Sequence, residues 1–412
     1  MSEWKRYKLS ELYEMSSGIS STKEQAGHGS PFLSFSVVFN NYFLPDSLID
    51  LMDTTDGEKQ KYSINEGDIF LTRTSETVDE LAMSSVALKD YPEASFSGFL
   101  KRLRPVDKTI VYPKFMAFYL RSPLFRRTII NNTVMTLRAS FNEAMFSYLE
   151  IMLPDFDTQK KIGDFLYSLE KKKQINNQIN QELEAMAKTL YDYWFVQFDF
   201  PDQNGKPYKS SGGKMVYNSE LKREIPEGWG VEKLEKIANI TMGQSPKGTS
   251  YNEVGEGMLF FQGSTDFGWR FPVARQYTTE PSRIAEEDDI LLSVRAPVGT
   301  LNIADTRCCI GRGLAAINSK VGANSYIFNV MQDFKKLFDM INSVGTTFGS
   351  ITKDDLYSLQ LVYPPTELLM EFDQLVKSFD REIKNRSRQN QELNQLRDWL
   401  LPMLMNGQVK VE

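Results

Sequence analysis

Two mixed α/β globular parts in a pseudo-twofold repeat, each followed by a long helix, with the two helices forming an antiparallel coiled coil: this is the architecture the 412-residue sequence predicts. Three observations lead to it. Landmarks of the first half return in the same order in the second. Each globular half carries short β-branched and aromatic runs broken by Gly, Pro and Asn, with helical stretches between them. Each half then ends in about 38 residues of sustained three-four apolar spacing.

The repeat is read directly from spacing. Trp4, Leu9 and Gly18 recur as Trp229, Leu234 and Gly243, an offset of 225 residues. Glu66-Gly-Asp-Ile69 answers Glu287-Asp-Asp-Ile290, and Gly98 answers Gly311, the offset shrinking through differences in loop length. From Ser140 and Ser350 onward it locks at 210, through Leu149 and Leu359, Pro154 and Pro364, and the echo Asn180-Gln-Glu-Leu183 with Asn390-Gln-Glu-Leu393. The runs Asp68-Ile-Phe-Leu-Thr72 and Asp289-Ile-Leu-Leu-Ser293 read as strands, and Pro113–Arg127 as helical. The boundaries that follow are a first globular part at 1–155, a long helix at 156–198, a linker at 199–225, a second globular part at 226–364 and a second long helix at 365–406. Pro201–Gly213, rich in Gly, Pro, Lys and Ser, is expected to be an exposed connection.

The first long helix carries Ile162, Phe165, Leu169, Lys172, Asn176, Ile179, Leu183, Met186, Leu190 and Tyr193 as a coiled-coil seam. The second gives Phe372, Leu375, Phe379, Glu382, Arg386, Gln389, Leu393, Leu396, Leu400 and Met403 in the same register, with Asn406-Gly407 as its stop. Both seams are apolar at the ends and polar in the middle, so an antiparallel, fully overlapped pairing sets Lys172 and Asn176 against the other polar centre. Such layers fix register at some cost in stability. At 1.5 Å per residue the helices are roughly 57 Å long, a stiff spacer with the globular parts at its ends. Packing of each helix on its own globular part is the plainer alternative, but that ordinarily needs three or four turns.

Composition narrows the function. The net charge of −6 leaves no global basic excess, so a nucleic-acid surface has to be local. Cys308 and Cys309 are adjacent, without metal-ligand spacing, which together with the absence of an apolar signal core or membrane-length run points to the cytoplasm. Enzyme motifs fail on inspection. Tyr363-Pro-Pro-Thr366 lacks the amide and aromatic of an adenine methyltransferase centre, and Gly243-Gln-Ser-Pro-Lys-Gly248 is followed by Thr249 where a phosphate loop needs lysine. The single histidine, His28, has no His or Cys partner for a zinc site. The chain is thus expected to be non-catalytic, with no metal or cofactor of its own.

The plan of globular part, long helix, globular part, long helix resembles the specificity subunit of type I restriction-modification systems, over the whole chain. Similar to that family are Ile225-Pro-Glu-Gly-Trp229, Met242-Gly-Gln-Ser-Pro246, Val294-Arg-Ala-Pro-Val-Gly299, Ile310-Gly-Arg-Gly313, Gly345-Thr-Thr-Phe348 and the join Trp194-Phe-Val-Gln-Phe-Asp199. The first half matches by plan and by Asn65-Glu-Gly-Asp-Ile69, but its loops differ. The resemblance implies two target-recognition domains, each reading one half of a split double-stranded DNA site. It implies helices that dock two methyltransferase subunits carrying S-adenosylmethionine, and a restriction subunit joining them.

Candidate DNA contacts follow from residue chemistry. Ser95–Phe141 holds nine Lys or Arg against one acid, Asp107, a local field suited to phosphate. Lys101, Arg102, Arg126 and Arg127 are assigned to the DNA backbone, Arg73 within Thr72-Arg-Thr74 to base or backbone, and Arg138 to DNA contact without a further division. In the second half Gln244, Ser245, Lys247 and Thr249 lie in one loop, and Gln262, Ser264, Thr265 and Asp266 in another. Such side chains pair with base edges. Arg295 and Arg312 suit close approach beside Pro or Gly, and Thr346 and Thr347 suit phosphates. For each residue, ordinary turn chemistry or a solvated helix face competes with the DNA role. At the level of the chain, a coiled-coil adaptor joining proteins without touching DNA is the alternative, and a DNA-modifying enzyme with a divergent centre the third reading.

Overall fold

The computed structural model describes residues 4–133, 139–343 and 350–411. The chain divides into two units, residues 1–174 with 390–412 and residues 175–389, so each long helix gives one end to each unit.

At the centre of the first unit an antiparallel sheet runs in the order Tyr13–Ser17, Leu100–Pro105, Ile69–Thr72, Ser84–Val86. Ile69–Thr72 is covered on both faces, which is why it reads as an unbroken apolar run rather than an alternating one. The second unit repeats the sheet with Ala238–Met242, Leu314–Ser319, Ile290–Ser293 and Leu301–Ile303. Register repeats too. Thr72 stands opposite Leu100 as Ser293 stands opposite Leu314, and Ser17 opposite Lys101 as Met242 opposite Ala315. A second ribbon closes each unit: Lys5–Lys8 pairs with Glu150–Leu153, and Gly230–Lys233 with Gln360–Tyr363. Beside these ribbons Leu9 N donates to Leu149 O at 2.9 Å and Leu234 N to Leu359 O at 2.8 Å, the 225 and 210 offsets realised as one hydrogen bond.

The first long helix is Phe156–Tyr191, opened by Asp155, whose carboxylate accepts Thr158 N at 2.8 Å. It runs on into a π-type turn, Asp192–Val196. The second is Thr366–Met405, followed by Gly407 at φ 75°, the left-handed position that ends helices. In the first unit Arg397 reaches Glu170 at 3.4 Å and Lys173 donates to Asn394 at 3.2 Å. In the second, Asn176 Nδ2 donates to Gln389 Oε1 at 2.8 Å and Asn180 Nδ2 to Ser387 Oγ at 3.3 Å. Within each unit partners ascend one helix as they descend the other, the antiparallel pairing expected, with a polar centre.

The seam itself is corrected by one residue. The row Ile162, Leu169, Asn176, Leu183, Leu190 is buried or half-buried as expected, and so is Phe372, Phe379, Arg386, Leu393, Leu400. The other row moves. Met186, Leu375 and Leu396 are exposed; Phe165 and Ile179 stay half-buried, but the fully buried positions beside this row are Leu166, Asn180, Ala187, Val376, Ile383 and Leu401. A three-four spacing was read where the helices use four-three. Both steps fit the heptad, and the choice is made by the globular part that each helix also covers: Leu166 and Leu401 enter one core, and Ala187 and Val376 the other.

Pro201–Gly213 is exposed or half-buried throughout, as expected of a connection. On either side of it the chain is packed: Phe198 and Phe200 are buried, Phe200 stacks with Tyr208 (4.6 Å) and Trp229 (5.0 Å), and Met215–Asn218 pairs with Arg223–Pro226 as a hairpin. Among the described residues no helix is long and apolar enough to cross a membrane.

Candidate nucleic-acid interface

In the second unit three loops meet at one end of the central sheet, and glycine makes the meeting possible. A Cβ on Gly243 would stand 2.1 Å from Gly311 O, and one on Gly311 would stand 2.8 Å from Gln262 Oε1. On that backbone Ser245 Oγ donates to Gln262 Oε1 at 3.0 Å, and Arg312 N donates to Ser245 Oγ at 3.2 Å. Gly313 N donates to Gln262 O at 3.1 Å, and Val294 N to Gly313 O at 2.9 Å, which brings the turn bearing Arg295 alongside. Gln244, Ser245, Gln262, Arg295 and Arg312 therefore share one end of the sheet. Of these, Gln244, Gln262, Arg295 and Arg312 are exposed, as are Lys247 and Thr249 farther along the first loop. Planar amides and guanidinium groups on a rigid backbone are the groups that pair bidentately with base edges. In the neighbouring turn Thr265 is exposed and Ser264 half-buried. Asp266 is spent internally: its carboxylate holds Arg275 Nε at 2.7 Å.

The first unit builds the same end with other side chains. A Cβ on Gly18 would stand 2.3 Å from Phe96 O and from Ser97 O. Arg73 N donates to Phe99 O at 2.9 Å and Phe141 N to Arg73 O at 2.8 Å, bonds that match Val294 N to Gly313 O and Ile351 N to Val294 O in the second unit. These equivalences place Gly98 with Arg312 rather than with Gly311, a shift of one from the sequence alignment. Arg73 is exposed, its Nη1 3.4 Å from Gly98 O, and Thr74 is half-buried in a short pairing with Ser140.

Several expected contacts are corrected, and the reason is the same for each: the side chain is consumed inside the unit. Thr72 is fully buried, its hydroxyl donating to Glu80 O and accepting Met83 N at 2.9 Å, as Ser293 Oγ serves Thr300 N in the other unit. Lys101, 4% exposed, binds Glu143 at 2.8 Å and Ser17 at 2.9 Å. Arg102, 8% exposed, donates to Ser63 O at 2.6 Å, and its burial pulls the guanidinium below the usual range. Arg126 donates to Leu81 O at 2.6 Å. The positive field read over Ser95–Phe141 shrinks accordingly. Arg104 is bidentate on Asp68 (2.8 and 2.6 Å), Lys114 pairs with Asp164 at 2.8 Å, and Arg121 donates to Ser84 O and Val38 O, burial pushing it down to about 10. These cations tie strands and helices together through backbone carbonyls and carboxylates. Arg127 is exposed on its helix. Arg138, Thr346 and Thr347 lie outside the described residues.

Sequence reasoning missed Phe99, which stands 67% exposed at the tip beside Arg73. The available signal was an aromatic residue directly after glycine at the mouth of a strand.

The second unit also anchors its globular part to both long helices. Arg270, 6% exposed, binds Glu184 at 3.1 Å and Asp380 at 2.6 Å, and lies over the Phe328 ring at 3.9 Å. Ser325 Oγ adds a bond to Asp380 at 2.7 Å.

Known proteins were then compared with the chain. The family model for the type I restriction modification DNA specificity domain matches twice, at residues 1–185 and 226–395. The MjaX type I restriction enzyme specificity subunit of Methanocaldococcus jannaschii is 29% identical over all of this chain and 94% of its own length. The HindI specificity subunit of Haemophilus influenzae is 22% identical over 99% of this chain and 100% of its own. In fold, the chain is similar to the crystal structure of the type I restriction-modification S subunit from M. genitalium, with a TM-score of 0.60 at 14% identity, covering 98% and 96% of the two chains. The two matched stretches each contain one of the glycine-built loop clusters, and the chain belongs to the type I restriction modification DNA specificity family.

Proposed function

We propose that this chain is the DNA-reading subunit of a cytoplasmic type I restriction-modification complex and performs no reaction itself. Each unit reads one half of a bipartite site through the loops at the end of its sheet. The paired helices set the distance between half-sites and dock two methyltransferase subunits, which bring S-adenosylmethionine; restriction subunits complete the complex. One observation carries the reading: two loop clusters with matching backbone hydrogen bonds present different side chains, Arg73 and Thr74 in one and Gln244, Gln262, Arg295 and Arg312 in the other. A shared scaffold with divergent tips is what two different half-sites require.

The test is co-expression with a methyltransferase subunit of the same system, followed by mapping of adenine methylation on host DNA. A gapped motif is expected, and exchange of residues 1–154 with those of a relative should change one half of it. A continuous motif, or none from a stable complex, would return the protein-adaptor reading.

A further inference from the structure

At the reading end of the first unit an aromatic ring stands in solvent. Phe99 is 67% exposed, whereas Phe70, Phe96 and Phe115 of the same unit are fully buried. Its backbone is fixed on every side: Phe99 O accepts Arg73 N at 2.9 Å, Phe99 N donates to Ser97 Oγ at 3.2 Å, and Gly98 N donates to Ile19 O at 2.7 Å. Just before the tip in the chain, Phe96 and Ser97 are crossed by Gly18 so closely that a Cβ on the glycine would stand 2.3 Å from both carbonyl oxygens. A cation lies next to it, the exposed Arg73. In the second unit the equivalent position is Gly313, flanked by Arg312, so the two tips differ in chemistry while sharing a backbone.

We infer that Phe99 is a base-contacting residue: its ring lies on a thymine methyl group in the major groove, with Arg73 on the adjoining phosphate or base edge. The first half-site then contains a T·A pair read by apolar contact, and the second is read by hydrogen bonds. Of the base edges in the major groove, that of thymine carries the methyl group that an apolar side chain recognises. This inference rests on the DNA-reading function proposed above.

The test uses the full complex with its methyltransferase subunits. Methylation motifs are mapped for the wild type, Phe99→Ala and Phe99→Leu, and rates are measured on duplexes carrying deoxyuridine at each thymine of the half-site in turn. Phe99→Ala should lose about 5- to 150-fold of discrimination at one base pair of one half-site, leaving the other half intact. Phe99→Leu should retain part of it. Deoxyuridine at that pair should slow the wild type and leave Phe99→Ala unaffected. An unchanged motif and rate for Phe99→Ala would overturn the inference, as would weakened complex assembly with the motif preserved in the complex that forms, which would make the ring a protein-docking group. A wild-type complex without a gapped motif would instead overturn the reading on which it rests.

Discussion

Gly243→Ala and its counterpart Gly18→Ala isolate the two reading ends. A methyl group on Gly243 would lie 2.1 Å from Gly311 O, about 1.3 Å inside the 3.4 Å where ordinary contact begins, and the obstacle is backbone rather than a side chain that can turn away. Neither glycine has a positive φ, so the effect is one of space and not of backbone strain. Overpacking of this kind costs about 1–3 kcal/mol, or roughly 2–4 °C of melting temperature per kcal/mol in a unit of this size. The functional effect is of similar size but falls on one half-site. Opening the crossing by about 1 Å pulls Ser245 away from Gln262 and Arg312 N, whose bonds at 3.0 and 3.2 Å have little slack. Loss of even one bidentate base contact removes about 1–3 kcal/mol of discrimination, at least fivefold. In the assembled methyltransferase complex, methylation rates on duplexes altered in one half-site at a time should show Gly243→Ala relaxed at one half and Gly18→Ala at the other. Two folded variants that both left the motif intact, or that each disturbed both halves, would refute the assignment of these loop clusters as the reading ends.

The remaining expectations concern groups whose role the structure reassigns. Thr72→Val leaves the part-buried Met83 N–H without its acceptor and should cost about 1 kcal/mol in denaturant titration, with the methylation motif unchanged; a changed motif would restore Thr72 to the DNA. Arg270→Met removes the cation shared by Glu184 and Asp380, which keep partial access to water, so a loss of about 3 kcal/mol is expected, toward the low end for a buried pair. A variant as stable as the wild type would show that the anchor contributes nothing. Leu166→Ala should cost about 2–5 kcal/mol and Leu396→Ala under ~1 kcal/mol, the reverse order being incompatible with the four-three seam. Cys308 is fully buried, and burial pushes its thiol up to about 12, so at pH 8 almost none is thiolate; mass spectrometry after iodoacetamide should find it unmodified in the native protein and alkylated after unfolding.

What was legible in the sequence was whatever spacing encodes. The offsets of 225 and 210 predicted which strands and ribbons correspond, because a hydrogen-bond ladder preserves register as long as no residue is inserted within it. Helix length, antiparallel sense and a polar middle were also readable, since each is a property of the one-dimensional pattern. The direction in which a long side chain points was not. The Lys and Arg run of Ser95–Phe141 looks like a phosphate-binding field by charge alone, but its strand Leu100–Pro105 lies inside a four-stranded sheet, and Lys101, Arg102 and Arg104 find Glu143, Ser63 O and Asp68 only through tertiary contact. The seam erred for a related reason: a heptad with apolar residues on either side of the a/d line leaves two adjacent faces open, and the choice between them depends on what else the helix covers.

The paired carboxylates Asp68 and Asp289 show why the two halves can diverge in what they read without diverging in fold. Each closes the turn before its central strand in the same way, accepting Asn65 N at 2.8 Å or Glu286 N at 2.9 Å. Their second partners differ, Arg104 in one unit and Asn318 in the other. Where the guanidinium is replaced by an amide, burial leaves the Asp289 carboxyl above its ordinary range. The scaffold thus tolerates exchange of a guanidinium for a neutral amide as the carboxyl group's second donor inside the sheet, provided that the backbone donors stay satisfied. The same condition holds at the tips. The bonds fixing the loops there run largely from backbone N–H to backbone O, and the close crossings need only glycine, so the side chains at Phe99 or Arg312 are free to change with little effect on the frame. On the proposed DNA-reading role of these tips, a single substitution at one of them is expected to change one half-site and leave the other intact.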